Sequence, residues 1–282
     1  MITMTNGFTA TKDFKNQYNE LMMHVFGFSF DKWYDRNIWD DSYECYSMIE
    51  NGIMIANVSV SKMKLRINNL PHDYLQFGAV ATREEYRGKG VAKKIIEHIM
   101  DLYPNTPSFL IANDSVLTFY PKFGFVPVDD QQPYISCNLK DDEEMIRLDI
   151  ADPKVEQYLK ERNQFSKVFD CTNPYGINWF HLLYEFHKDI YDIPQLEAMM
   201  IARQQGNTLV IYDLVATKRI RYEELLPNLH FPGVEMIKFG FNPDWLEIPY
   251  KTMKYKLEDS TLFVKGDFKV QTKYIMPLCI RT

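Results

Sequence analysis

The stretch Arg87-Gly88-Lys89-Gly90-Val91-Ala92 decides how this chain is read. It follows a run of β-formers, Tyr74 to Thr82, and opens a segment where Val91, Ala92, Ile95, Ile96, Ile99 and Met100 recur at helical spacing. A helix start presents free N–H groups and the positive end of its dipole. Glycines let a backbone approach a ligand closely, and Arg87, Lys89, Lys93 and Lys94 add positive charge at the same point. The combination predicts a phosphate site, although a plain strand-to-helix turn would use similar residues. A Walker loop is excluded because Gly90, not Ser or Thr, follows Gly88-Lys89. A dinucleotide fingerprint is excluded because Lys93 stands where its third small residue belongs.

Upstream, Phe14, Tyr18, Leu21, Met22 and Val25 predict an amphipathic helix over 12–26, and a short helix is expected over 30–37. Strands are expected over 43–50, 52–67 and 74–82, with Asn51-Gly52 as a tight hairpin turn. Downstream, Pro104 and Pro107 stop the long helix, 108–112 reads as a buried strand and 115–122 as a helix. Tyr134 to Leu139 then closes the half with a strand. The acidic run Lys140 to Glu144 is the best boundary, though it also suits a solvated turn. It divides the chain into domains 1–140 and 141–282. In the second half, helices are expected over 153–162, 177–187 and 222–226. Strands are expected over 196–203 and 208–216, with a largely β tail from Val234 onward.

The halves share short strings in the same order, which points to duplication. Val80-Ala81-Thr82-Arg83 returns as Val215-Ala216-Thr217-Lys218, Lys122-Phe123-Gly124-Phe125 as Lys238-Phe239-Gly240-Phe241, and Tyr134-Ile135 as Tyr274-Ile275. Between the first two strings the second half is shorter, and Tyr222-Glu223-Glu224 stands where the glycine loop should be. Its anion site should therefore be lost.

Composition excludes several classes. The net charge of −6 lacks the positive field that nucleic acid demands. No apolar run approaches the roughly 20 residues of a membrane helix, and no signal pattern opens the chain. A soluble, cytoplasmic protein is expected. Cys45, Cys137, Cys171 and Cys279 form no CxxC pair and read as reduced thiols. The histidines offer no metal constellation: His181 and His187, six apart, do not share a helix face. No metal is expected.

With these residues in place, the chain resembles the GCN5-related N-acetyltransferase (GNAT) superfamily. Its pyrophosphate loop, Arg/Gln-x-x-Gly-x-Gly/Ala, is matched by Arg87, Gly90 and Ala92. Asn113-Asp114-Ser115-Val116-Leu117-Thr118-Phe119-Tyr120, followed by Phe123-Gly124-Phe125, resembles the family's second block. The likeness covers roughly residues 8 to 139. It implies an α+β fold of two GNAT-like domains, each a mixed, mostly antiparallel sheet flanked by helices, the second degenerate. It also implies acetyl-CoA as co-substrate and a small-molecule or peptide amine as acceptor.

Residue by residue, the resemblance implies that Arg87, Gly88, Lys89, Gly90, Val91 and Ala92 hold the pyrophosphate. Val80, Ala81 and Thr82 would pair with the pantetheine arm, and the Val80 N–H would stabilise the oxyanion. Asn113 would bond the arm or cap the following helix. Tyr120 would protonate the departing thiolate, or else be a packed aromatic. No covalent intermediate is needed, in keeping with the lack of a Ser-His-Asp or Cys-His signature. The general base is open among Glu44, Glu50, Asp73 and others. The mixture of Trp33, Tyr34, Trp39, Tyr43 and Tyr46 with Asp31, Asp35, Asp40 and Asp41 suggests a pocket for a cationic amine, or simply core beside an acidic face. Larger aminoglycoside-acetylating relatives add a sterol-carrier-like third domain, which is not expected in this sequence, and that departure puts an aminoglycoside acceptor in doubt. An acyl-CoA sensor without turnover and transfer of a longer acyl or aminoacyl unit are the competing readings. The oligomeric state is open, a homodimer included.

Overall fold

The computed structural model describes residues 2–5, 11–139 and 144–282. The first half begins with β1 (Ile2–Thr5), α1 (Lys12–Phe26) and α2 (Asp31–Tyr34). Thr11 caps α1 by accepting the Phe14 N–H, and Gly27, at φ 76°, ends it in the left-handed conformation. Phe14, Tyr18, Leu21 and Met22 form its buried stripe. Next come β2 (Tyr43–Glu50), β3 (Ile53–Ile67) and β4 (Leu70–Thr82), with Asn51 (φ 51°) and Gly52 (φ 82°) turning the first hairpin. The helix α3 (Val91–Leu102), β5 (Ser108–Ala112), β6 (Val126–Pro127) and β7 (Gln131–Leu139) complete this half.

The second half holds β8 (Ile146–Arg147), α4 (Pro153–Glu161), β9 (Phe169–Cys171), α5 (Tyr175–Tyr184), β10 (Ile190–Ile193), β11 (Ala198–Gln205) and β12 (Thr208–Ala216). It continues with α6 (Tyr222–Leu225), β13 (Val234–Phe239), β14 (Lys251–Lys254) and β15 (Thr261–Lys265). The fold is α+β with two mixed, mostly antiparallel sheets flanked by helices.

The sheets exchange their closing strands. The first runs β1-β2-β3-β4-β5-β15-β6, with β9 extending one edge of β3; the second runs β14-β7-β13-β12-β11-β10-β8. Tyr134 to Leu139 is thus a strand, as expected, but it pairs with β13 and β14 of the second sheet. Its place between β5 and β6 is taken by β15. One hydrophobic core also runs across the halves, joining Tyr18 and Trp33 to Trp179, Leu182, Met199 and Val215.

The halves share one strand arrangement, but two of the matched strings are not equivalent. In each half a strand runs antiparallel to one neighbour and parallel to the next: β4 beside β3 and β5, β12 beside β11 and β13. Lys238-Phe239 ends β13, the counterpart of β5, whereas Lys122-Phe123 ends a 3₁₀ turn. Tyr274-Ile275 lies in no strand. The helix expected over 115–122 is replaced by two 3₁₀ turns, Asp114–Val116 and Tyr120–Phe123, because Pro121 lacks an N–H and disfavours helical geometry at Tyr120. The tail is less β than expected: after β15 it is irregular apart from a 3₁₀ turn at Leu278–Ile280. Of the proposed boundary, Lys140 to Glu143 lie outside the described residues.

Candidate active site

The ladder between β4 and β5 is short. It pairs Leu75 to Phe77 with Ser108 to Leu110 and then ends. Beyond Phe77, β4 continues beside β3 alone, with its register shifting between Ser59↔Gly78 and Asn57↔Ala81. Two residues of β4, Ala79 and Val80, therefore stand against the single Val58, which is a β-bulge. Ala79 takes a left-handed φ of 45°. The fully buried Asn57 holds this geometry: its Nδ2 donates to the Ala79 carbonyl at 3.0 Å and to Ser59 Oγ at 2.9 Å, while its Oδ1 accepts from Ser47 Oγ at 2.8 Å. Val80 belongs to the bulge, and Ala81 and Thr82 follow it, on the side where β4 has left β5.

The glycine loop lies immediately beyond. A 3₁₀ turn, Glu84–Tyr86, leads to Arg87 and then to Gly88 and Gly90, at φ 74° and 75°. Gly90 is the N-cap of α3, with no side-chain cap bond. The first N–H returned to the helix is that of Lys94, bonded to the Gly90 carbonyl, so the N–H groups of Val91, Ala92 and Lys93 precede the helical ladder. A Cβ built on Gly88 or Gly90 meets nothing within 4 Å. Left-handed glycines, open space and an uncapped helix start fit a diphosphate. Arg87 is exposed, its Nε donating to the Thr82 carbonyl at 3.3 Å, and Lys89 lies over the Tyr86 ring.

Asn113 is exposed at the end of β5, where it precedes the 3₁₀ turn and accepts from Ser115 Oγ at 2.9 Å. Tyr120 is buried among Phe119, Phe125 and Phe263, the last contributed by β15. Burial pushes its phenol up to about 12, so it keeps its proton throughout the neutral range.

On the opposite face of the sheet from α3 lies a cavity of about 570 Å³ whose wall includes Gly78 and Ala79. Phe28, Phe30, Trp33 and Tyr43 of the first half face it together with Phe180 and Tyr184 of α5. The acidic residues expected to share this pocket do not line it. Asp31 and Asp35 hold Lys15, and Asp40 accepts the Ser42 N–H. The candidate bases are elsewhere too. Burial raises the Glu44 carboxyl, but hydrogen bonds from Lys62, Tyr46 and Tyr103 outweigh it and leave the group below its ordinary value. Glu50 accepts from Tyr86 Oη at 2.5 Å, and Asp73 is exposed near the start of β4.

Sequence reasoning missed His181. It lines the cavity, is 7% exposed, and has Nδ1 3.7 Å from Glu185 Oε2, while Nε2 has no hydrogen-bond partner. Its signal was absent because only the packing of α5 against the first half brings it there. Among the described residues no group of three or more His, Cys, Asp or Glu side chains is placed to hold a metal, and no helix is long and apolar enough to cross a membrane.

In the second sheet the corresponding gap is closed. Gly240 presses on the Tyr212 backbone so tightly that a Cβ would come within 2.7 Å of its carbonyl oxygen, and the Gly240 carbonyl accepts the Leu278 N–H at 2.7 Å. The crossover from β12 to β13 carries the four-residue α6, with Glu223 and Glu224 in its first turn, and a 3₁₀ turn, Leu226–Asn228.

The first half thus has an open slot beside an uncapped helix start, and the second half has a closed counterpart. Residues 9–128 match the acetyltransferase (GNAT) domain family. The chain is similar in fold to a probable N-acyltransferase from Enterococcus faecalis, at 15% identity and TM-score 0.56, over 94% of this chain and 72% of that one. Eis1 from Mycobacterium abscessus aligns at 12% identity and TM-score 0.56, over 92% and 73%. A GCN5-related N-acetyltransferase from Kribbella flavida aligns at 11% identity and TM-score 0.54, over 93% and 71%. No curated protein sequence matches the chain.

Proposed function

We propose that this protein is an N-acetyltransferase that moves the acetyl group of acetyl-CoA directly to a primary amine. The observation that carries this reading is the uncapped start of α3 at Gly90, set beside the early end of the β4–β5 ladder. In this reading residues 1–140 bind the donor, and residues 141–282 supply one wall of the acceptor chamber.

Arg87 to Ala92 hold the diphosphate, the strand from Val80 to Thr82 and Asn113 line the pantetheine arm, and the bulge presents the Val80 N–H to the thioester oxygen. The amine enters from the chamber on the other face of the sheet. Its ammonium form first gives a proton to His181, which Glu185 orients, and thence to solvent. The nitrogen then bonds to the acetyl carbon as the C–S bond breaks. Tyr120 gives its proton to the leaving thiolate, and the proton lost by the new amide nitrogen restores the balance.

Thiol release on mixing the protein with acetyl-CoA and a panel of amines tests the reading. Amine-dependent release that falls in Tyr120→Phe supports it; tight binding of acetyl-CoA with no release under any amine identifies a sensor instead.

A further inference from the structure

The chamber has a composition that the acetyltransferase reading does not require. Its rings interlock: Phe28 stacks on Phe30 with centroids 5.3 Å apart, Phe180 and Tyr184 lie 4.9 Å apart, and Trp33 meets Tyr43 edge-on at 5.1 Å. Phe28 also reaches across the halves to Phe180 and Tyr184, at 6.3 and 5.5 Å. Phe28, Phe180 and Tyr184 are only half-buried, so a ligand can reach their rings.

The charges on the wall oppose a polycation. Glu185 is the one acidic side chain among the lining residues, and two of its neighbours there, Lys62 and Arg281, are cationic. The carboxylates of Glu44 and the buried Asp130 are taken up by Lys62, at 2.7 Å, and by Arg281, so neither is free to bind a cationic ligand. The polar pole is instead His181, nine-tenths buried with its Nε2 unpartnered, beside Glu185. Such a buried orphan nitrogen is costly unless a ligand meets it. Largely apolar, aromatic walls, a single buried unpartnered nitrogen at His181 and a volume of about 570 Å³ fit a small molecule with one basic nitrogen.

We infer that the acceptor is a primary amine carried on an aromatic or flat apolar body, an arylalkylamine rather than a polyamine or an amino sugar. This rests on the acetyltransferase reading. The body packs against Phe28 and Phe180, and the amine lies toward His181 and the Ala79 bulge.

The test compares 2-phenylethylamine and tryptamine with spermidine, glucosamine and n-butylamine at saturating acetyl-CoA, and follows 2-phenylethylamine binding without donor by calorimetry. The expected result is a kcat/KM at least about tenfold higher for the arylalkylamines. Phe180→Ala and the milder Phe28→Leu should raise KM for 2-phenylethylamine about tenfold while leaving acetyl-CoA affinity unchanged. Spermidine or glucosamine used as well as 2-phenylethylamine overturns the inference. So does a preference for octanoyl-CoA over acetyl-CoA that Phe180→Ala abolishes, since the chamber would then hold the donor's acyl chain. Acetyl-CoA binding with no arylalkylamine binding or turnover overturns it alone, whereas failure to bind acetyl-CoA removes the acetyltransferase reading as well.

Discussion

The side-chain amide of Asn57 donates to the carbonyl of Ala79 across 3.0 Å, pinning the register break of β4 from inside the sheet. The partners of Asn57 are all supplied locally, so the bulge is held without help from any ligand. A buried amide whose donors are lost leaves the Ala79 carbonyl and Ser59 hydroxyl unmet, at about 1–3 kcal/mol. Asn57→Asp keeps the acceptor for Ser47 but removes both donors. We expect a folded protein, less stable by about that amount, with kcat/KM down roughly tenfold to a hundredfold. Thermal melts and thiol release check both parts.

Gly90 separates conformation from charge. It sits at φ 75° with open space where a Cβ would stand, so Gly90→Ala meets only backbone strain, about 1 kcal/mol. Gly90→Glu adds a negative charge at the helix start, where an anion should bind. The acetyl-CoA Kd should rise severalfold for the first and more than about a hundredfold for the second.

Tyr120→Phe should lower kcat about a hundredfold and leave acetyl-CoA affinity unchanged. Because burial lifts the phenol to about 12, wild-type activity should show no loss from its ionisation between neutral pH and about pH 10. A descending limb in that range that vanishes in Tyr120→Phe would count against the assignment.

The exchanged strands make the halves interdependent. Phe263 of β15 is 2% exposed and packs on Tyr120, so Phe263→Ala should cost about 3–5 kcal/mol and lower kcat as well. Calorimetry should show one melting transition for the whole chain. Residues 1–140 expressed alone lack β15 and should not fold.

Asp170 sets a pH trend. Burial drives its carboxyl up to about 7, against the pull of the Arg162 guanidinium. The folded state therefore holds the Asp170 proton more tightly than the unfolded chain does, whose carboxyl titrates near 3.9. Its contribution is fully present below about pH 4 and is lost as pH rises through about 7. In Asp170→Asn that decline should vanish, read as the difference between wild-type and variant melts across this range.

Local signals carried the sequence reading where a short stretch determines its own structure. The α1 stripe, the Asn51-Gly52 turn, β5 and β12 were legible at residue precision, and so was the glycine loop at the head of α3. What escaped depends on distant chain. No property of Gln131 to Leu139 says that it should prefer β13 to its own sheet, because both partners offer the same ladder. The Lys238-Phe239-Gly240-Phe241 string misled for a related reason: its glycine serves a close backbone approach to Tyr212, whereas Gly124 serves a left-handed turn at φ 84°. Of the aromatics expected to form the pocket, Trp33 and Tyr43 line the chamber whereas Tyr34, Trp39 and Tyr46 do not, and its other wall comes from α5, more than a hundred residues away.

Calorimetric titration of the whole chain with acetyl-CoA tests the central claim most directly. One open slot and one closed counterpart predict one site per chain, abolished by Gly90→Glu and left intact by Glu223→Ala in the second half. Two sites per chain, or a single site that survives Gly90→Glu, would contradict the assignment of the donor to β4, β5 and the start of α3.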